Sequence, residues 1–530
     1  MRVFAKRLFI TAVIIPMITA CIKVGPDFHR PNAVIAPDWI ESGDSRVKTE
    51  PADYRDWWKV FNDPVLDRLI DRAYRENLNI RIAGVRVLEA RAQLGIATQG
   101  LYPQSLPVSG SVEYHRPSAA GAVPSSVSEY YQSQAGLSAS WELDFWGKYR
   151  RIIESADAAW KASVADYDTA LVSLTSDVAG SYITIRTLEK RVSIARQNAE
   201  IQNDNLRIAE ARFKYGTVTQ LDVEQARAVL NDTLAAIPSL ESQLRQAMHA
   251  LSVLLGAAPG DLRDQLQGSS DIPVSPPEVI VGIPSDLLTR RPDIRSAAYQ
   301  AAAQSAQIGV AKADLYPAFS LSGNFNFVAS DVGKSRLSDM FKWNSRDILA
   351  GPSFAWGILN YGRIINNVRL QDARLQELLI TFQSTVLKAQ QEVEDNLVAF
   401  LRGQERAEFL VKSTAAAKNA LDLAVLQYRQ GVKDFTTVLT AQQSLLTEQD
   451  NLAVTLGNIS GSLVGVYRSL GGGWEIREGR DLANRQDLEE MAKRTNWGSM
   501  LYPATYTPSV SGAESSAGPR PVHSGNTEVK

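Results

Sequence analysis

The chain of 530 residues carries a formal net charge of −2, with no basic block, which excludes nucleic acid as a partner. Its single cysteine excludes an internal disulfide, so the fold must be held by packing. The four histidines, His29, His115, His249 and His523, stand apart from any carboxylate or cysteine at ligand spacing; no metal site, no cofactor and no enzymatic reaction are expected.

The N-terminus places Arg2, Lys6 and Arg7 before an apolar run from Leu8 to Ala20, too short to span a bilayer and in the form of an export signal, residues 1–20. Ile18-Thr19-Ala20-Cys21 resembles the bacterial lipobox, which makes Cys21 the expected lipidated first residue of the mature chain. Acyl chains contribute roughly 0.8 kcal/mol per buried methylene, so two or more form a durable membrane anchor. Residues 21–62, rich in proline and tryptophan and without a clear period, are expected to run extended over a scaffold.

From there the chain is duplicated. Ile80-Arg81, Gly95 and Leu101-Tyr102-Pro103 recur as Ile294-Arg295, Gly309 and Leu315-Tyr316-Pro317 at an offset of 214. Trp146-Gly147-Lys148, Phe213-Lys214-Tyr215-Gly216 and Leu255-Gly256 recur as Tyr361-Gly362-Arg363, Tyr428-Arg429-Gln430-Gly431 and Leu470-Gly471 at an offset of 215. One residue is therefore inserted between the Tyr-Pro and the Gly, in the strands and loops. The two copies are 63–258 and 285–474, joined by a proline-rich linker, 259–284.

Each copy opens on a helix, about Asp63 to Gly100 and about Pro292 to Asp314, that ends at Leu-Tyr-Pro because proline bars continuation. Two runs of period two follow. Val108, Gly110, Val112 and Tyr114 oppose Ser109, Ser111 and Glu113; Leu137, Ala139, Trp141 and Leu143 oppose Gly136, Ser138, Ser140 and Glu142. In the second copy Phe319, Leu321, Phe325 and Phe327 oppose Ser320, Ser322, Asn324 and Asn326, and Phe354, Trp356 and Ile358 oppose Ser353, Ala355 and Gly357. Apolar on one face and polar or small on the other fits strands of a membrane barrel with a wet lumen; a soluble sandwich would share the pattern. Polar segments, Arg116 to Tyr130 and Ser330 to Asp347, separate the strands of each pair as long outer loops. Four strands cannot close a barrel around a pore, and an open edge cannot sit in lipid, so several chains must build one barrel.

Two long helices come next, Arg150 to Tyr215 and Arg363 to Gln430, without interior proline and roughly 100 Å long. Apolar residues at Trp160, Val164, Tyr167, Leu171, Leu174, Val178, Tyr182 and Ile185 step by about 3.5 residues, the seam of a left-handed coiled coil. Leu375, Leu379, Phe382, Val386, Ala389, Val393, Leu397 and Phe400 repeat that seam. The turns at Gly216 and Gly431 each divide a long helix from a returning one, and Pro238 should kink the first return. Gly471-Gly472-Gly473 caps the last helix. Pro292-Asp293 starts a helix, with Arg290 and Arg291 just before it. Residues 475–530 form a polar tail: a charged part from Arg477 to about Lys493, with room for a short helix, and a Ser-, Pro- and Gly-rich end expected to be disordered.

Several of these stretches carry a family resemblance. Val24-Gly25-Pro26-Asp27-Phe28-His29-Arg30-Pro31, the run from Trp57 to Leu66, Arg290-Arg291-Pro292-Asp293-Ile294-Arg295 and the run from Ile308 to Pro317 resemble, in order, the outer-membrane factor lipoproteins, TolC-like exit ducts of tripartite efflux pumps. The resemblance implies a mainly α fold with a membrane β-barrel: a duplicated long-helix tunnel continuous with a 12-stranded barrel built by three chains. It also implies a periplasmic adaptor and an inner-membrane RND-type pump as partners, and outer-membrane sorting, consistent with Ile22 rather than aspartate after the cysteine. The chain itself would be a passive duct for small toxic compounds. Two rivals are a duct for secreted proteins and a coiled-coil envelope scaffold without a pore.

In the resembling family the hairpin tips converge to close the periplasmic end, with carboxylates facing the axis. Asp222, after the first turn, and Asp434, after the second, are the candidates for such rings, although acidic residues also favour helix N-termini. Tyr428, Arg429, Lys433 and Thr436 complete the candidate gate. Family members often carry aspartate where this chain has Thr440, so any acidic constriction there is expected to be weaker or supplied by Asp434.

Overall fold

The repeated seam decides the architecture. In this computed structural model, which describes residues 23–51, 53–118, 129–260, 262–269, 271–333 and 335–501, Leu171, Val178, Tyr182 and Ile185 are sealed from water, as are Phe382, Ala389, Val393, Leu397 and Phe400. They lie on the two longest elements, Lys148–Lys214 and Tyr361–Arg429, of 67 and 69 residues, each about 100 Å at 1.5 Å per residue. Half of each rod is flanked by the return from its own tip, Gln220–Leu254 or Phe435–Ser469. The other half is flanked by Leu78–Gln99 and Pro292–Ala313. The first return runs through Pro238 as one element.

The expected helix from Asp63 to Gly100 is two helices, Pro64–Glu76 and Leu78–Gln99. Asn77 divides them in extended conformation. Its side-chain oxygen accepts from the N–H groups of Asn79 and Ile80, and its amide donates to the Leu254 carbonyl at 2.8 Å. An asparagine that caps the next helix removes itself from the preceding one. In the second copy Pro292 sits in the first turn, as expected. Arg291 is buried, pairs with Asp293 and Glu392, and donates to the Ser469 carbonyl, while Arg290 stacks over Tyr54. Both arginines hold the fold together.

Four strands form one antiparallel sheet: β1 Val108–His115, β2 Tyr130–Leu143, β3 Ala318–Ser330 and β4 Arg346–Ala355, in that order. The register places Val108, Leu137, Phe325 and Ile348 side by side, and Gly136, Asn326 and Asp347 side by side on the other face. The fourth strand stops at Ala355, short of the expected Trp356 and Ile358. There the Ile358 N–H bonds back to the Trp356 carbonyl and a short 3-10 turn, Ile358–Asn360, leads into the helix. Local closure of the backbone replaces ladder bonds.

The N-terminal segment runs extended over the helices, with the Ala36 and Ile40 N–H groups donating to Gln390 and Glu394. Gly25, at φ +99°, crosses Gly309 so closely that a Cβ on Gly25 would lie 2.4 Å from the Gly309 Cα. Arg151, fully buried, clamps the crossing by donating to the Val24 and Gly25 carbonyls. Two of the resembling motifs therefore meet at one contact. The linker lies against the second copy, where Ser460 donates to the Pro273 carbonyl. Beyond the second copy, Arg477 and Asp168 form a buried pair, and Arg485–Arg494 is the short helix expected there, seated on Leu88 through Leu488 and Met491. The signal, Cys21 and the tail from residue 502 lie outside the described residues.

Candidate channel and gate

The strands and tips occupy opposite ends of the rods, and the copies build each end by the same chemistry. At the strand end, the Trp141 indole donates to the Leu101 carbonyl at 3.0 Å, and its counterpart Trp356 donates to Leu315 at 3.1 Å. Each tryptophan thus fastens its sheet to the Leu-Tyr-Pro that ends the preceding helix. The Trp146 indole adds a bond to the Pro317 carbonyl, and Tyr361 one to Leu315.

One sheet face carries Val112, Val108, Leu137, Leu321, Ile348 and Phe354, all exposed in the single chain. The other carries serines, glutamines and asparagines, with Val328 and Leu349 as apolar exceptions. Both edge strands, β1 and β4, lack an outer partner among the described residues. The single chain therefore presents a sheet with one apolar face, one polar face and two open edges. Among the described residues no helix is long and apolar enough to cross a membrane.

At the far end both turns are built alike. Gly216 and Gly431, at φ +71° and +76°, take the left-handed conformation that ends each rod. The Thr217 N–H reaches back to the Arg212 carbonyl and the Val432 N–H to Gln427, each at 2.9 to 3.0 Å. Asp434 caps the second return: its carboxylate accepts from the Thr437 hydroxyl at 2.8 Å and from the Thr437 N–H, bonds that hold its pKa below the usual carboxylate value. Asp222, half-buried, accepts from the Thr219 N–H and hydroxyl at 2.9 and 3.1 Å. Both carboxylates therefore serve local helix starts.

The structure separates the other candidates. Arg429, Lys433, Thr436 and Thr440 are exposed, with the Thr440 hydroxyl bonded to the Thr436 carbonyl. Tyr428 is buried against Phe435, ring centroids 5.1 Å apart, and burial pushes its hydroxyl pKa up. That hydroxyl has no hydrogen-bond partner among the described residues.

The contact missed at the sequence level is Arg212. Its guanidinium lies 4.5 Å over the Tyr428 ring and donates to the Tyr428 carbonyl, which ties the first hairpin to the second. A signal was available: Gln427 stands at the corresponding position, so this arginine breaks the duplication just before the turn. Higher up, Arg191 makes two bonds to Asp450, and Asn198 bonds Gln449 at 2.7 Å. Between these links and the tip lie Gln202, Asn205 and Gln442, buried with amide atoms that find no partner among the described residues.

Comparison with known proteins agrees with this geometry. The family described as "Outer membrane efflux protein" matches residues 69–257 and 283–472. Nodulation protein T of Rhizobium leguminosarum bv. viciae is 32% identical over 468 residues, covering 88% of this chain and 93% of its own. The pyoverdine export outer membrane protein OpmQ of Pseudomonas aeruginosa is 31% identical over 471 residues, covering 87% and 96%. Among solved structures, the outer-membrane channel OprN superposes with a TM-score of 0.80 at 32% identity, covering 86% of this chain and all of that one. The Campylobacter jejuni CmeC channel gives 0.78 at 25% identity, covering 90% and 99%. The chain belongs to the outer membrane efflux protein family and is a TolC-like efflux channel of the outer membrane.

Proposed function

We propose that three copies of this chain close one 12-stranded barrel in the outer membrane, continuous with a helical tunnel that ends in a gate at the hairpin tips. The observation that carries this reading is the open four-stranded arc. Its edges need neighbours in lipid, its polar face suits water, and it is joined to rods about 100 Å long. The rods supply a matching need for neighbours, since Leu370, Ile380, Leu387 and Phe409 on Tyr361–Arg429 are exposed in the single chain. Association with other copies would cover such a stripe.

The protein is a passive conduit that works with a periplasmic adaptor and an inner-membrane RND-type pump. Its cargo is small toxic compounds; relatives are named for pyoverdine export and toluene efflux, which favours this cargo over secreted proteins. Cys21 carries the lipid that assists sorting, and the copies 63–258 and 285–474 are the two staves each chain contributes.

At the gate, Tyr428, Arg429, Lys433, Asp434, Thr436 and Asp222 of three chains surround the axis, with Thr440 leaving one carboxylate ring short. The contact from Arg212 to Tyr428 keeps the hairpins of each chain together and the passage narrow. Unpaired amides at Gln202, Asn205 and Gln442 make the packing just above costly, which lowers the resistance of the hairpins to sliding apart. An adaptor that binds the separated form more tightly shifts the equilibrium without an energy source in this chain. Single-channel recording from purified protein in planar bilayers tests the reading: small, rarely open steps are expected, and absence of any conductance would favour a scaffold without a pore.

A further inference from the structure

The segment joining β3 to β4 has no part in the channel as described. Its two 3-10 turns, Leu337–Phe341 and Trp343–Ser345, lie at the end of the sheet away from the rods. The segment folds back over the sheet's apolar face. Ser133, which shares that face with Val112 and Ala329, is buried there, and its hydroxyl lies within hydrogen-bonding distance of the Leu337 carbonyl. Having covered that corner, the segment turns large apolar side chains away from the protein: Phe341 is 76% exposed and Trp343 66%.

Of the two, Trp343 is held by a neighbour. Arg346, next to Phe327 on the apolar face, places its guanidinium 4.3 Å over the Trp343 ring and donates to the Trp343 carbonyl. Lys342 lies between the two aromatics, mostly exposed and 2.7 Å from Asp339. Arg336 is exposed as well. An aromatic ring with an apolar body and a polar edge is at home in the headgroup layer of a membrane, and nearby cations find counter-charges on phosphate.

We propose that this segment is an interfacial foot: Phe341 and Trp343 enter the headgroup layer of the outer leaflet beside the barrel, and Arg336, Lys342 and Arg346 bind the phosphates of its lipids. The surface is continuous with Tyr114, Tyr131 and Phe327 at the same end of the apolar face, so the lipid that wets the sheet also meets the foot. A segment folded onto the barrel's outside leaves the mouth clear. The proposal rests on the barrel reading, in which the apolar face points to lipid.

The test uses the full-length protein and its Trp343→Phe and Trp356→Phe variants, reconstituted in phosphatidylcholine vesicles with and without phosphatidylglycerol, the acyl chains brominated near the headgroup. Wild-type emission minus each variant's isolates one tryptophan; Trp356 reports the opposite rim of the sheet. Bromine should largely quench both. The quenching of Trp343 should grow with phosphatidylglycerol, and Arg336→Ala with Lys342→Ala should abolish that growth. Quenching of Trp356 with Trp343 answering only to aqueous iodide would overturn the foot while the barrel stands, and would leave the segment open to water or to a protein. Quenching of Trp343 that ignores phosphatidylglycerol would overturn phosphate binding. If bromine quenches neither, the barrel reading falls and the foot with it.

Discussion

Replacing Arg212 with alanine should open the gate. In the single chain this one guanidinium stacks on the Tyr428 ring and donates to its carbonyl. A ring contact at a partly exposed site contributes about 1 kcal/mol, and a charged hydrogen bond to a carbonyl about 1.5 to 3 kcal/mol. Both belong to one side chain, so the loss is taken as about 2 kcal/mol per chain, roughly a 30-fold rise in the ratio of separated to joined hairpins. The contact links two hairpins rather than turns of one helix, so helix content should be unchanged by circular dichroism. Open probability in planar bilayers should rise by at least an order of magnitude. Arg212→Lys keeps the charge but loses the planar fork, and should fall between wild type and alanine. Tyr428→Phe keeps the ring and the carbonyl and removes only a hydroxyl without a partner among the described residues, so it should gate like wild type. An Arg212→Ala channel with wild-type open probability would show that this contact does not hold the gate closed.

The double variant Asp222→Ala with Asp434→Ala should lose cation preference as well as two helix caps worth about 1 kcal/mol each; unchanged ion selectivity in bilayers would leave the carboxylates as caps alone. Cys21→Ser should yield protein without lipid, by intact mass, that still forms channels; a soluble monomer in the envelope would contradict the barrel. Glu475 has one carboxylate oxygen with no partner among the described residues, and burial pushes its pKa up from 4.5 to about 7. The folded state therefore binds the extra proton between those values, and its stability falls as pH rises through that window, by roughly 3 kcal/mol at most. Glu475→Gln should flatten the dependence of the thermal midpoint between pH 5 and 8, and an unaltered slope would show that another group sets it.

What was legible in the sequence was whatever repeats or follows a short period. The offset of 214 and then 215 located both copies, the 3.5-residue seam located their buried faces, and Gly216, Gly431 and Gly471 marked helix ends because a left-handed residue is needed there. Contacts between distant residues leave no such trace. Asp168 and Arg477 are 309 positions apart and meet in the core, and Asn77 breaks a helix in answer to a carbonyl at Leu254. The fourth strand ended early because the Ile358 N–H closes back on the Trp356 carbonyl into a 3-10 turn, a local closure that period-two alternation cannot foretell. At the gate, Asp222 and Asp434 were legible as acids near a turn, but only geometry showed each occupied as a cap. Arg212 left no local trace of its role because its partner lies 216 positions away on the other hairpin.

The claim on which the rest depends is that three chains complete one barrel. Native mass spectrometry of the full-length protein released from detergent measures this directly. The account predicts a particle of three chains that persists when Cys21 is replaced by serine, and a particle of one chain, or a ladder of sizes without a preferred number, would contradict it.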